Sequence, residues 1–487
     1  MNSFNVKLTS YILGLLLFVE AGFLSLSILV SLIYQEHDIF AFLVAIIISV
    51  VLGGMMMLFG KKHTKELSKK EGFLIVSSSW LLFSLIGAVP FMVSGSIPGF
   101  TNAFFETISG FTGTGASILN NIEELPHGIL FWRSITQWIG GMGMVVFTIA
   151  LLPLLKVTGA VTLYNTEAPG LTKDKMTPNI TGTARRLWGM YITLTLVLVG
   201  LLLLGPMNLF EAVCHSFTAM GTGGYSTKQA SIAAFNSPYT EYMLTLFCFI
   251  AGINFSLLYV LYHGKMKKMF KDEELRWYFI FVAGATLITT IALLYFKTYT
   301  SVEVAFRNAL FQVVTIMTTC GYATADYITW GSYFCFFSVL LMLIGGSAGS
   351  TSGGIKVVRI VVMIKNALNE FSKQLHPNAL VPVKINKQII PNPYVVKTLA
   401  FIFVYLCVIS IGVTILCFCG SDMEESIGSV VSCIGGVGPG LGRTGPAGNY
   451  DVLDPVAKWT LSFIMLIGRL ELFTVLVLFT PNFWRNK

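Results

Sequence analysis

Thr112-Gly113-Thr114-Gly115-Ala116 returns three more times along the chain in altered form: Gly221-Thr222-Gly223-Gly224-Tyr225, Thr318-Thr319-Cys320-Gly321-Tyr322 and Gly435-Gly436-Val437-Gly438-Pro439. Aligned on the fourth residue of each, every segment has a hydroxyl side chain six residues earlier: Ser109, Thr218, Thr315 and Ser432. Beyond each lies a small-residue core in an apolar run, namely Ile139-Gly140-Gly141, Ile250-Ala251-Gly252, Ile344-Gly345-Gly346 and Ile467-Gly468-Arg469. The aligned glycine precedes the second residue of these cores by 25, 27, 24 and 30 positions. A glycine-rich apolar chain yields one or two such matches by chance. Four in order point to internal repetition.

Around these segments the chain is 54% hydrophobic and only 11% charged, against about 25% charged for a soluble domain. Apolar runs long enough to cross about 30 Å of hydrocarbon recur from end to end. The expected spans are 10–34, 39–60, 73–94, 131–155, 187–206, 239–262, 276–296, 332–365 with an interruption, 396–419 and 457–480. The first run is too long for a signal peptide and contains Glu20, with no clear cleavage site after it. The segments 61–72, 156–186, 263–276 and 356–397 hold five, five, five and seven Lys/Arg; with Lys7, Arg485 and Lys487 they account for 25 of the 32. By the positive-inside bias these loops and both termini face the cytoplasm. The net charge of +8 therefore reports topology. No basic patch alternates with aromatics on a soluble face, which argues against a nucleic-acid partner.

Short apolar stretches of about 10–12 residues begin near 102, 209, 303 and 424, too short to span and suited to re-entrant helices. The repeating unit is thus helix, re-entrant helix, glycine loop, helix. Each basic loop falls between units, so all four units share one orientation. The expected fold is an all-α integral membrane protein: four parallel helix–pore-loop–helix repeats around a central pore, plus an N-terminal transmembrane hairpin. The boundaries read 1–66 for the hairpin, then 67–165, 166–268, 269–375 and 376–487 for the repeats.

A cation crossing the bilayer must replace its hydration shell. Rings of backbone carbonyls do so in conformations that glycine permits. The four loops contain no acidic residue, which favours carbonyl selection of a monovalent ion over a carboxylate ring. The pore helices would turn their negative C-terminal ends toward a cation below the loops. Glu211, Glu303, Glu424 and Glu425 stand near the favourable N-termini of three of them. Taken singly, each glycine loop reads equally well as close helix packing; four aligned loops favour the pore.

The third repeat carries Gly345-Gly346-Ser347-Ala348-Gly349-Ser350-Thr351-Ser352-Gly353-Gly354. Each helix-interior Gly costs about 1 kcal/mol relative to Ala, so a continuous helix is excluded there. Irregular backbone at mid-membrane depth survives only when buried in protein or lining a wet cavity. A cytoplasmic linker would leave only about thirteen residues before it, too few to span upright. No Lys-Ser/Thr follows at phosphate-loop spacing. Lys356 and Arg359, just after the stretch, read as snorkelling residues.

The fourfold pattern resembles the Trk/Ktr/HKT superfamily of K⁺ transporters. Its most specific stretches are Gly113-Thr114-Gly115-Ala116-Ser117, Thr222-Gly223-Gly224-Tyr225-Ser226-Thr227 and Gly321-Tyr322-Ala323-Thr324. The extra hairpin and the length are most similar to its TrkH-type subunit. The resemblance implies selectivity glycines at Gly115, Gly224, Gly321 and Gly438, K⁺ as the transported ion and an intramembrane gate at Gly345–Gly354 contacted by Arg469. A local ion pair of Arg469 with Glu471 is the competing assignment. In Na⁺-preferring plant members serine replaces the first glycine, so Gly115 favours K⁺. The fourth loop, with Gly435, Gly436 and Val437, has the least regular register. The resemblance also implies a bacterial cytoplasmic membrane, a homodimer with one pore per chain, and a cytoplasmic ring of nucleotide-binding TrkA-type regulatory subunits.

Three other classes fit the sequence less well. A secondary transporter coupled to H⁺ or Na⁺ is the alternative, but that class shows inverted repeats and these are parallel. A voltage-gated channel needs a regular Arg/Lys ladder in a span, and none occurs. No catalytic constellation supports an enzyme. The eight cysteines lie in or beside apolar runs without zinc or disulfide spacing, and His215 reads as structural.

Overall fold

Apolar length fixes which segments cross the membrane. The computed structural model describes residues 5–61, 68–141, 143, 180–379 and 381–485. Most of the basic segment 156–186, part of 61–72, and the far end of the expected span 131–155 lie outside the described residues. Among the described residues six helices are long and apolar enough to span: Val6–Tyr34, Ile39–Gly60, Lys70–Val93, Ala184–Leu202, Glu273–Tyr295 and Asn392–Phe418. The chain is a multi-pass membrane protein.

The first two form the expected hairpin. A side chain on Gly14 or Gly53 would strike the other helix's backbone, so small residues set the close approach. The hairpin turn is tied to the first repeat by Glu36, which accepts from His127 N at 2.6 Å and pairs with His127 Nδ1 at 2.7 Å. Glu20 is buried, and neither of its carboxyl oxygens has a hydrogen-bond partner among the described residues.

The pore helices are Phe100–Thr112, Leu209–Met220, Val302–Met317 and Met423–Gly435, each a little longer than the expected 10–12 residues or at its upper limit. The second is stopped at its start by a reciprocal cap between Asn208 and Glu211. The fourth has Glu425 at its start, paired with Arg443 at 2.7 Å. Gly140 lies against the Phe111 carbonyl and Gly468 against the Ile434 carbonyl, with no room for a Cβ at either. Phe111 and Ile434 both stand four residues before their aligned glycine, so the first and fourth repeats share this contact.

One expectation is corrected. Continuous second helices were expected over 239–262 and 457–480, yet both break. Pro238–Ala251 and Phe255–Tyr262 meet at 104°, and Pro455–Arg469 and Phe473–Phe479 at 109°. The first break is restarted by Asn254, whose Oδ1 caps Ser256 N at 2.8 Å. At the second, Glu471 and Leu472 adopt left-handed φ of 57° and 45°, uncommon for residues with side chains. The third repeat is interrupted as expected, between Ser332–Leu343 and Val357–Leu375. After it a two-stranded hairpin, Lys384–Ile385 with Gln388–Ile389, folds back. Its Val383 and Ile385 form an apolar cluster with Ala348, Val358, Val362 and Val395.

Candidate ion pathway

Each glycine loop follows directly on the C-terminus of its pore helix. In all four, the second and fourth residues have left-handed φ: Gly113 and Gly115 at 68° and 80°, Thr222 and Gly224 at 50° and 77°, Thr319 and Gly321 at 57° and 79°, Gly436 and Gly438 at 76° and 100°. In an ordinary strand successive groups point to opposite sides. A left-handed residue at every second position removes that alternation and lets successive carbonyls face one side. Thr222 and Thr319 hold this geometry despite a branched Cβ, a strained state associated with functional sites. The shared pattern puts the fourth loop in register on Gly438.

The loops meet head to tail. A Cβ on Gly115 would approach the Gly223 carbonyl oxygen, one on Gly224 that of Cys320 and one on Gly321 that of Val437, each to 2.0 Å or less, and one on Gly438 that of Thr114 to 2.7 Å. The fourth loop therefore returns to the first, and the ring is closed. Gly115, Gly224, Gly321 and Gly438 line one open cavity of about 80 Å³. A side chain at any of these positions meets both an unfavourable backbone conformation and the neighbouring loop.

Each loop is braced from its own pore helix. The third-residue amides of Thr114, Gly223, Cys320 and Val437 donate to the carbonyls of Ser109, Thr218, Thr315 and Ser432 at 2.9, 2.9, 2.8 and 2.9 Å. The hydroxyl residues picked out by sequence thus share this backbone role, and Thr315 Oγ1 also donates to Tyr322 O at 3.1 Å. Thr112 Oγ1 bonds Thr114 Oγ1 at 2.8 Å, and Thr318 Oγ1 donates to Val314 O at 2.8 Å. Gly221 packs on Gln137, and Gly435 lies against Met342 O. Gln137, not singled out in the sequence, donates to Gly223 O at 2.8 Å and accepts from Tyr225 N at 3.0 Å. Its signal was a buried amide in an apolar segment.

The Gly345–Gly354 loop lies beneath. Gly345 N donates to Ile355 O at 2.9 Å and Val357 N to Gly346 O at 3.1 Å, so the loop closes on itself at its neck. Ser347 N donates to Gly252 O at 2.9 Å, and Ser350 Oγ bonds Ser352 Oγ at 2.7 Å. Phe255 N donates to Gly349 O at 3.1 Å, Ala348 N to Glu274 Oε1 at 2.7 Å, and Gly353 N to Thr319 Oγ1 at 2.7 Å. Gly353 leaves no room for a Cβ against Gly435 O, and Gly354 packs on Gly345.

Arg469 joins the loop to the first repeat. Its Nη1 donates to Thr351 O at 2.7 Å, and its Nη2 donates to Gly140 O and, at 3.0 Å, to Gly141 O. The loop thus touches the second repeat, the third and fourth glycine loops and, through Arg469, the first repeat. Glu471 is engaged by Arg359. The snorkelling expected of Lys356 and Arg359 is corrected: Lys356 Nζ turns inward to Ser352 O, and the Arg359 guanidinium stacks 4.0 Å over Phe401. Both find carbonyl, carboxylate or aromatic partners within the protein, which replaces the need to reach water.

A family model described as TrkH, cation transport protein, matches residues 38–486. The chain is 38% identical to the Trk system potassium uptake protein TrkH of Halomonas elongata, over 99% of this chain and 100% of that one. It is 38% identical to the TrkH of Escherichia coli K12 over 98% of both. It is 32% identical to the Trk system potassium uptake protein TrkG of the same organism, over 100% of both. The crystal structure of the potassium transporter TrkH from Vibrio parahaemolyticus aligns with a TM-score of 0.89 and 33% identity, over 98% of this chain and 99% of that one.

Proposed function

The chain belongs to the TrkH family of cation transport proteins, and from that premise we propose that it takes up K⁺ across a bacterial cytoplasmic membrane. The ion passes a carbonyl filter formed by Thr112–Gly115, Gly221–Gly224, Thr318–Gly321 and Gly435–Gly438, and a gate formed by Gly345–Gly354 with Arg469. The closed head-to-tail ring of four loops carries this reading. Backbone carbonyls replace water around the ion, and no carboxylate in the loops holds it too tightly to leave. Where the gate loop stands, Arg469 opposes a cation by charge and by hydrogen-bonding the carbonyls that would otherwise face it.

Both termini and the basic loops face the cytoplasm, in keeping with the Lys/Arg bias. The working assembly is a homodimer served by cytoplasmic nucleotide-binding subunits of the TrkA type. Passive, gated flow is favoured over coupling to H⁺ or Na⁺ because the repeats are parallel.

The test is ⁸⁶Rb⁺ uptake into liposomes holding the purified protein, with K⁺ or Na⁺ as competitor, beside Gly115→Ser. K⁺ should compete far better than Na⁺, and the substitution should erode that preference. Robust flux with no K⁺ preference, or a preference indifferent to Gly115→Ser, would sink the filter assignment.

A further inference from the structure

Nine residues before each aligned glycine, inside the pore helix, stands a buried polar side chain: Glu106, His215, Gln312 and Ser429. Each reaches the chain leaving its own filter loop. Glu106 accepts from Ser117 Oγ at 3.0 Å and from Ile118 N at 2.9 Å. His215 Nε2 bonds Ser226 Oγ at 2.9 Å. Gln312 Nε2 donates to Ala325 O at 3.3 Å, and Ser429 Oγ bonds Thr444 Oγ1 at 2.8 Å. Ser117 and Ser226 both stand two residues beyond their glycine. The four repeats therefore share a bracing position, filled by different chemistry in each.

Only the first repeat fills it with a charge. Glu106 pairs with Arg133 at 2.7 Å, with side chains 0% and 3% exposed. Arg133 then crosses to the second loop: its Nη1 donates to Ser226 O at 2.9 Å, and its guanidinium lies 3.6 Å from the Tyr225 ring centre. Tyr225 returns the link, its hydroxyl donating to the Glu106 carbonyl at 2.8 Å. A buried ion pair is a poor source of stability, because desolvation offsets its attraction; its better-attested use is to fix one geometry. Here the pair spans the exits of two adjacent filter loops.

We propose that Glu106 and Arg133 form a charged clamp that sets the spacing of the first and second filter loops, and through it the discrimination between K⁺ and Na⁺. Both are positioning residues that act through the loop backbones. The inference rests on the filter reading above. The clamp bridges one of the ring's four gaps, and a shift of either clamped loop also changes the gap on its far side.

The test uses the full-length protein in liposomes and reads the ratio of K⁺ to Na⁺ competition against ⁸⁶Rb⁺ uptake, which a loss of folded protein does not move. Glu106→Gln keeps the shape but removes the charge and one acceptor oxygen. Ser117→Ala removes a single hydroxyl and serves where Glu106→Gln fails to fold. Glu106→Gln is expected to lower the ratio about tenfold, the worth of roughly one hydrogen bond to a charged group. Ser117→Ala should lower it less, with flux retained in both. Reduced flux at an unchanged ratio marks a merely structural pair and overturns the clamp. So does an unchanged ratio in both variants while Gly115→Ser lowers it. A ratio unchanged in all three overturns the filter reading, and the clamp with it.

Discussion

The filter loops and the Gly345–Gly354 loop are both rich in glycine, but glycine serves different ends in them. In the proposed filter, four loops repeat one backbone pattern and close on each other, with no charged residue in any of them. In the proposed gate, one loop stands alone, held by the side chains of Arg469, Thr319, Glu274 and Lys356. Selection needs equal, neutral dipoles that are always in place. Gating needs a contact set that a few groups can break. The contrast predicts that filter substitutions change which ion passes, whereas gate substitutions change how much passes.

The largest effect is expected at Gly115→Ser. The new side chain meets both a left-handed φ of 80° and the Gly223 carbonyl. The K⁺ over Na⁺ preference should fall by about 100-fold, which corresponds to about 2.7 kcal/mol. Competition assays on liposomes measure it. A fall in flux without a fall in preference would break the contrast from the filter side.

Arg469→Ala comes next and should act in the opposite sense. It removes charge-assisted bonds to Thr351, Gly140 and Gly141, each worth about 1.5–3 kcal/mol. Unidirectional ⁸⁶Rb⁺ flux should rise by about tenfold or more, with selectivity unchanged. Deleting part of Gly345–Gly354 should do the same. Unchanged or lower flux in well-folded protein would remove the gate assignment.

Thr319→Val sharpens the boundary between the two regions. This residue belongs to the filter backbone, yet its hydroxyl accepts from Gly353 of the gate loop. Valine keeps the shape and loses that one bond, of about 0.5–1.5 kcal/mol. Flux should rise about two- to tenfold. If selectivity moves instead, the two regions are mechanically one.

The legible part of this molecule was the part that needs glycine or tolerates no charge. Positive φ favours glycine, so the register of the glycine loops shows in Gly115, Gly224, Gly321 and Gly438. A ten-residue run without a large side chain shows as an interruption, and Arg469 stands out as a charge in an apolar span. The breaks at Gly252–Asn254 and Leu470–Leu472 were hidden, because hydropathy continues across them and the bend depends on tertiary partners. The Lys384–Ile389 hairpin was hidden in a basic segment, its turn made by Asn386 and Lys387 at left-handed φ without a glycine to mark it. Glu106 and Arg133 were present as letters 27 apart, and only the fold brings them to 2.7 Å.

The smallest expected effect lies at the edge of the gate and decides how many charges it needs. Glu471 pairs with Arg359, with side chains 20% and 14% exposed. Such part-exposed pairs are worth about 0–1 kcal/mol. Glu471→Gln leaves Arg359 its stack on Phe401 and leaves the Arg469 bonds to Thr351 and Gly141 in place. Flux should therefore change by less than about threefold, the equivalent of roughly 0.6 kcal/mol. Glu471 also carries the left-handed turn at which the fourth second helix breaks, so its backbone matters apart from its charge. Glutamine keeps that backbone nearly unaltered, and the substitution isolates the charge. A rise as large as that of Arg469→Ala would mean that Arg359, Glu471 and Arg469 hold the loop as one network. A small change leaves Arg469 as the principal charged contact on the loop.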